Sequence, residues 1–345
     1  MCANAPQASP AGDHTHATVE SIPMPANPRK KPCQEARKRN GTYRPLDRSA
    51  PVLITDQTWA APLLRAENSR SADYNFGNIY MWDDTYRQFL SRVDDRLITR
   101  LQYAQQPFFA FPAGSGDLRP AVEAMEDAAI RKCCHLAIRG VTEEQRALLE
   151  STYPGRFTFT EDRDTFDYIY DAEKMATYAG KKLHGKRNHC NRFEAEHDWS
   201  FQKLTPALLA TCMKMLGKWI RGFDVLPEGL NEEHSAILRG FLNFQRLGLE
   251  GGILMADGKI MGFTVGEMTS DDTFDVHFEK AYPGVNGAYP MVCREFTRQL
   301  LADHPGLKYL NREDDMGLPN LRKAKEDFYP EFLLTKYTAK ENCRE

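Results

Sequence analysis

Apolar and polar positions follow two periods along this chain, and the changes between them mark its elements. Helical spacing of apolar residues predicts helices over 59–66 and 86–101. A short apolar run predicts a strand over 108–112. The stretch DLRPAVEAMEDAAIRK then reads as a helix, with Asp117 at its N-cap and Val122, Met125 and Ala129 in one stripe. A strand over 135–139, a helix over 143–150 and a strand ending near Tyr170 complete a mixed α/β first half.

The second half is punctuated more sharply. Thr205 caps a helix with Pro206 at its first position and a buried stripe of Leu208, Leu209, Cys212, Leu216 and Trp219. Asn231 caps another that runs through Ile237, Leu238, Phe241 and Leu242 to Gly248. GGILMADGKIMGFTVGEM holds two apolar runs about Asp257-Gly258, a pair suited to the positive φ angles of a tight hairpin. TFDVHFEKA alternates strictly, with Phe274, Val276 and Phe278 on one face and Asp275, His277 and Glu279 on the other. A helix over 289–302 buries Val292, Phe296 and Leu300, and LKYLN is a further strand. A short helix capped at Asp314 or Asp315, with Pro319 near its start, leads to a closing strand, FLLTKYT.

Composition narrows this picture. With 345 residues, 41% hydrophobic and 27% charged, the chain has room for two domains. It has no apolar run of the roughly 18 to 20 residues that span a bilayer. The N-terminus lacks the apolar core of a secretory signal, so the expected location is the cytoplasm, with peripheral contact at the inner membrane face as an extension. Eight cysteines show neither paired nor metal-type spacing, so neither a disulfide nor a metal site is expected. Residues 1–50 carry seven of the twenty prolines and a basic cluster from Arg29 to Arg39, and read as a disordered tail. That cluster is either solvated or in contact with nucleic acid or anionic lipid.

Candidate chemistry falls in three strings. GKKLHGKRNHCNRF holds five Lys/Arg and two His without an acid, in a chain of net charge −3. Helical spacing sets His184, Arg187, Asn188 and Asn191 on one side, with Lys186 beside them, a donor-rich face suited to phosphate; the alternative is a solvated helix. In HFEKAYPGVNGAYPMVCREF, His277 and Glu279 share a strand face about 7 Å apart, a pairing that can take a proton from a nucleophile. The alternative is an ordinary polar strand face. Gly284 and Gly287 precede a helix, where backbone N–H groups favour phosphate, or are turn residues. In YLNREDDMGLPNLRKAKEDFYPEF, Asn311, Arg312 and Glu313 follow a strand end, and Arg322 and Lys325 lie on the next helix. With Lys280 they are candidates for gripping an amino-acid substrate; the alternative is an ion-pair network that pins the last helix.

The order of elements in the second half resembles the GNAT acyltransferase fold. The three strings together resemble the bacterial family related to the C-terminal domain of phosphatidylglycerol lysyltransferases, over roughly residues 52–340. The resemblance implies two GNAT-like domains in tandem, over 51–180 and 181–340, the second carrying the site. It implies an acyltransferase that moves an aminoacyl group from aminoacyl-tRNA to a lipid headgroup or another amine or hydroxyl. The alternatives are a coenzyme A-dependent N-acyltransferase acting on a small amine and a non-catalytic nucleotide- or lipid-binding scaffold. No tightly bound cofactor is expected, the donor being a co-substrate, either aminoacyl-tRNA held by its acceptor end or acyl-coenzyme A. The membrane-embedded domain usual in the lipid-modifying members has no counterpart in these 345 residues, and the acceptor, the acyl group and the oligomeric state stay open.

Overall fold

The computed structural model describes residues 50–103, 106–132, 134–222 and 229–342. Two mixed seven-stranded sheets carry the chain, with helices packed on them. In the first half, α1 (Gln57–Glu67), α2 (Phe76–Met81) and α3 (Asp83–Tyr86) precede β1 (Gln88–Val93), β2 (Arg96–Tyr103), β3 (Gln106–Ala110) and β4 (Ala113–Gly114). Then come α4 (Arg119–Arg131), β5 (Ala137–Val141), α5 (Glu143–Thr152) and β6 (Phe157–Glu161). Next are β7 (Asp167–Asp171), α6 (Ala172–Thr177), α7 (His184–Glu196), β8 (Trp199–Lys203), α8 (Pro206–Ile220), α9 (Leu230–Leu242) and α10 (Phe244–Leu247). Finally β9 (Glu250–Ala256), β10 (Lys259–Met268), β11 (Thr273–Ala281), α11 (Ala288–Asp303), β12 (Tyr309–Asn311), α12 (Pro319–Glu326), β13 (Phe332–Leu334) and β14 (Tyr337–Glu341) complete the chain.

The first sheet runs β1-β2-β3-β5-β14-β6, with β4 on β2; the second runs β13-β7-β12-β11-β10-β9-β8. The strands therefore do not follow the boundary drawn at residue 180. β7, from before it, lies inside the second sheet, while β14, the last strand, lies inside the first. The closing strand read as one piece is two, β13 and β14, one in each sheet, with Lys336 between them. A core cluster crosses between the halves, from Leu97, Phe109 and Ile138 through Met215 and Ile237 to Phe263 and Phe278.

The helix expected over 86–101 is instead the β1–β2 hairpin, paired from Gln88↔Leu101 to Val93↔Arg96. Phe89, Val93 and Leu97 fit a helical stripe, but Asp94 adopts a left-handed turn conformation (φ 50) and the sheet supplies the backbone partners. Three expected caps move as well: Leu318, not Asp314 or Asp315, is the N-cap of α12. Leu118 is the N-cap of α4, with Asp117 accepting the Arg119 N–H at 3.2 Å; α9 starts after Gly229 (φ 76), which leaves Asn231 inside the helix. The Asp257-Gly258 hairpin (φ 53 and 72) forms as read.

The strict alternation of TFDVHFEKA is interrupted. The register between β10 and β11 passes from Val265↔Phe278 to Gly266↔Val276, leaving His277 opposite no residue, which is a β-bulge. β11 pairs in parallel with β12 only over Thr273–Asp275, so the two strands part just before the bulge. That divergence prepares the site.

Candidate active site

A cavity of about 330 Å³ opens between the two sheets. Thr99, Leu101 and Arg139 line it from the first sheet and Asp167, Val276, His277 and Glu279 from the second. Where β11 and β12 separate, the segment after β12 fills the gap with Arg312, Glu313 and Asp314, and α12 adds Lys325. Charged groups thus meet where parallel strands end, the usual place for α/β sites.

The turn over Arg312–Asp314 is held firmly. Lys325 Nζ donates to the carbonyls of Arg312 (2.6 Å), Glu313 (3.1 Å) and Asp314, and Asn311 Oδ1 accepts the Glu313 N–H at 2.6 Å. These bonds keep Glu313 in the left-handed region (φ 59), an unfavourable conformation for a residue with a Cβ. Asn311 Nδ2 also donates to Asp167 Oδ2 at 3.0 Å, and Lys336 Nζ bridges Asp167 (2.8 Å) and Asp73 (2.9 Å). Burial alone would lower the Lys336 pKa, yet those two carboxylates raise it above the ordinary lysine range. Burial lifts Asp314 to about 7 against the pull of Lys336 and Lys325.

Glu279 is buried and paired with Arg312, whose Nη2 lies 3.0 Å from Glu279 Oε1 and 2.6 Å from the Tyr289 hydroxyl. Burial raises the Glu279 carboxyl, and the Arg312 guanidinium opposes the rise. His277 stands among carboxylates: Nε2 is 3.1 Å from Glu267 Oε1, and Nδ1 is 3.2 Å from Glu313 Oε1 and 3.5 Å from Asp275 Oδ2. Burial would depress the imidazole, but Asp275, Glu267 and Glu313 hold its pKa well above the ordinary histidine value. Burial likewise pushes Asp275 far above the carboxylate range.

Of the candidates read from sequence, His277, Glu279, Arg312, Glu313 and Lys325 line this one cavity, and Asn311 supports it from behind. Lys280 does not line it: its ammonium lies 2.8 Å from both carboxylate oxygens of Glu233, a residue at the cavity wall, and 4.8 Å from the centre of the Trp219 ring. Arg322 also lies elsewhere, holding Asp315 (2.8 Å) and Asp164 (2.6 Å) on the outer side of α12.

The basic string forms α7, but none of its residues lines the cavity, contrary to the cleft position expected for it. Cys190 and Phe193 bury α7 against α11. Arg187 turns back to the carbonyls of Tyr178 (2.5 Å) and Gly180 (3.5 Å), His184 and Asn188 contact each other, and Asn191 is exposed. Lys186 alone inclines toward the site, its Nζ 3.9 Å from the centre of the Phe328 ring, which Arg312 approaches to 4.9 Å. Gly287 (φ 84) caps α11 against the His189 carbonyl, and Gly284 is open to solvent. Asp73, Asp167 and Lys336 were missed because each lies in a short polar flank of an apolar strand or turn. Arg139 lines the cavity from β5, where the alternation of AIRGV was the only available signal.

An α/β chain with two mixed sheets around a buried, ionised cavity is thus defined. The profile of the family described as phosphatidylglycerol lysyltransferase, C-terminal, matches residues 65–340, and the chain belongs to that family. A conserved protein of unknown function from Bacteroides thetaiotaomicron is 34% identical and superposes with a TM-score of 0.79, over 85% of this chain and 99% of that one. The C-terminal domain of a putative lysylphosphatidylglycerol synthetase from Agrobacterium fabrum shares the fold at 14% identity and TM-score 0.58, over 84% and 92% of the two chains. So does L-PGS from Bacillus licheniformis at 17% and 0.53, over 77% and 87%. A curated, uncharacterized protein of Mycoplasmoides gallisepticum is 26% identical over 182 residues, and the match spans 51% of this chain and 56% of that protein's length. No helix among the described residues is long and apolar enough to cross a membrane.

Proposed function

We propose that this chain is a GNAT-type acyltransferase that moves an aminoacyl group from aminoacyl-tRNA to an amine or hydroxyl, with a lipid headgroup as the first acceptor to test. The observation that carries the reading is Glu279, a buried carboxylate oriented by Arg312 inside a cavity, in a chain of this family. The acceptor's nitrogen or oxygen attacks the ester carbonyl carbon as Glu279 takes its proton, the C–O bond to the tRNA breaks, and the protonated Glu279 returns that proton to the departing 3′-oxygen. His277, surrounded by three carboxylates, is less free to accept that proton than Glu279.

A second donor, acyl-coenzyme A, is favoured by one feature. α11 begins at Gly287 without a side-chain cap and follows an exposed turn at Gly284, although Gly287 itself packs against the His189 carbonyl. Thermal unfolding separates the two donors, since a ligand at 100 times its dissociation constant stabilises the fold by about 2.7 kcal/mol. A shift with charged tRNA alone supports aminoacyl transfer, and one with coenzyme A esters alone supports the second donor. Under both, Glu279→Gln abolishes product formation while the ligand-induced shift persists. Ligand binding without product in the wild type would leave a non-catalytic scaffold.

A further inference from the structure

The bulge at His277 gathers a set of donors that the acyl-transfer reading does not use. Nδ1 of His277, a carboxylate oxygen of Asp275 and one of Glu313 all lie within 4.8 Å of one another. Nδ1 stands 3.2 Å from Glu313 Oε1 and 3.5 Å from Asp275 Oδ2. Neighbouring ligands of one ion with bonds of about 2.1 Å stand roughly 3.0 to 3.4 Å apart, so both imidazole–carboxylate distances are close to ligand spacing.

Two further observations point to a ligand. Asp275 is fully buried, and its Oδ1 has no hydrogen-bond partner, while Oδ2 accepts from Asn75 Nδ2 at 2.7 Å. A buried carboxylate oxygen left without a donor is costly unless something fills the place. On the other side of the imidazole, Nε2 faces Glu267 Oε1 at 3.1 Å. When a cation displaces the Nδ1 proton, Nε2 still donates to Glu267 and Nδ1 turns its lone pair to the ion between Asp275 and Glu313, the carboxylate–histidine arrangement that orients metal-bound imidazoles. Gly77 makes room for it, since a Cβ there would lie 2.1 Å from Glu267 Oε1.

We infer that Asp275, His277 and Glu313 form a binding site for one first-row divalent cation, of the Mn²⁺ or Zn²⁺ kind. One imidazole and two carboxylates suit such ions better than Ca²⁺, which takes six to eight oxygens, or Mg²⁺, which keeps most of its water. Three protein ligands leave coordination positions open, and His277 and Glu313 both face the cavity. The open positions would take a carbonyl or phosphate oxygen of a bound substrate.

The test is isothermal titration of the chelator-treated full chain with MnCl₂ and ZnCl₂, with MgCl₂ and CaCl₂ alongside. The expected result is one saturable site for Mn²⁺ or Zn²⁺, at least tenfold tighter than for Mg²⁺ or Ca²⁺. Asp275→Asn and Glu313→Gln should each weaken it tenfold or more, with thermal unfolding showing that the variants fold. Glu313 is partly exposed, so its variant keeps the test valid if Asp275→Asn does not fold. Visible absorption of the Co²⁺-loaded chain should change between wild type and Glu313→Gln. No saturable binding, or equal binding by wild type and Glu313→Gln, overturns the assignment, whatever the outcome of the acyl-transfer assays.

Discussion

Arg312 and Glu279 meet beyond the point where their strands stop pairing: Nη2 lies 3.0 Å from Oε1, and the two side chains are 6% and 4% exposed. Removing one partner of a buried pair leaves the other's charge uncompensated, which costs about 3–5 kcal/mol. Arg312→Ala should lose stability of that order in urea denaturation. Glu279→Gln leaves the Arg312 guanidinium, 6% exposed and always ionised, without its carboxylate, so it should lose a comparable amount. A loss below about 1 kcal/mol in Arg312→Ala would mean that water or another group compensates Glu279.

Lys336 ties the two sheets at the back of the cavity through Asp167 and Asp73. Lys336→Met strands Asp167, which is 1% exposed, and should lower stability by about 3–5 kcal/mol. In Lys336→Met/Asp167→Asn the buried charge is gone as well, so part of the loss should return. A double-mutant cycle measures the coupling, and simple additivity would show that the ion pair does not join the sheets.

These two pairs mark how far the sequence could be read. TFDVHFEKA and YLNRED announced their chemistry because an apolar alternation carried charged residues into a position flanked by helices, and Glu279 and Arg312 do meet. The bulge that turns His277 toward Glu313 left no trace in the letters, because it is a property of pairing with β10. Asp167 and Lys336 come together only because the chain crosses from one sheet to the other at both places. The β1–β2 hairpin was misread for a related reason: Phe89, Val93 and Leu97 fit a helical stripe, and only the partner strands decide against it. The family, by contrast, was legible, since three local strings carry it.

α7 separates two kinds of basic residue. Lys186 points toward Phe328 and the Arg312 side of the site, whereas Arg187 closes the carbonyls that end α6. Lys186→Ala should weaken binding of charged tRNA and reduce the slope of log K against log salt by about 0.7 to 0.9, the share of a single phosphate. Arg187→Ala should leave that slope unchanged and cost about 1 kcal/mol of stability. Filter binding over a salt series checks both, and an unchanged slope in Lys186→Ala would remove α7 from donor recognition.

Arg322 belongs with the structural cations. It grips Asp315, which is fully buried, and Asp164 on the outer side of α12. Arg322→Ala leaves the buried Asp315 carboxylate without its bidentate partner and should lower the unfolding midpoint measurably. Donor-induced stabilisation should be retained in full. A variant that stays as stable as wild type but no longer responds to donor would return Arg322 to the binding machinery.

Arg70 and Asp272 supply a pH-dependent term outside the cavity. Hydrogen bonds from Arg70, at 3.1 and 2.7 Å, are the main reason the Asp272 carboxyl lies at about 2, with burial opposing and Thr273 and Ser270 assisting. A carboxyl whose folded pKa is below its unfolded value, about 3.9, contributes stability that is complete above that value. The contribution is lost as pH falls through about 2. Arg70 is 40% exposed on its side chain, so the pair is worth only about 1 kcal/mol at neutral pH. The stability difference between wild type and Arg70→Ala should therefore be constant above about pH 4 and shrink steadily below it. The remainder at low pH reflects the stacking of Arg70 on Tyr309, 4.9 Å from the ring centre. Urea unfolding of both proteins at a series of pH values tests this, and a difference that grows on acidification would reverse the sign and exclude the pair as its source.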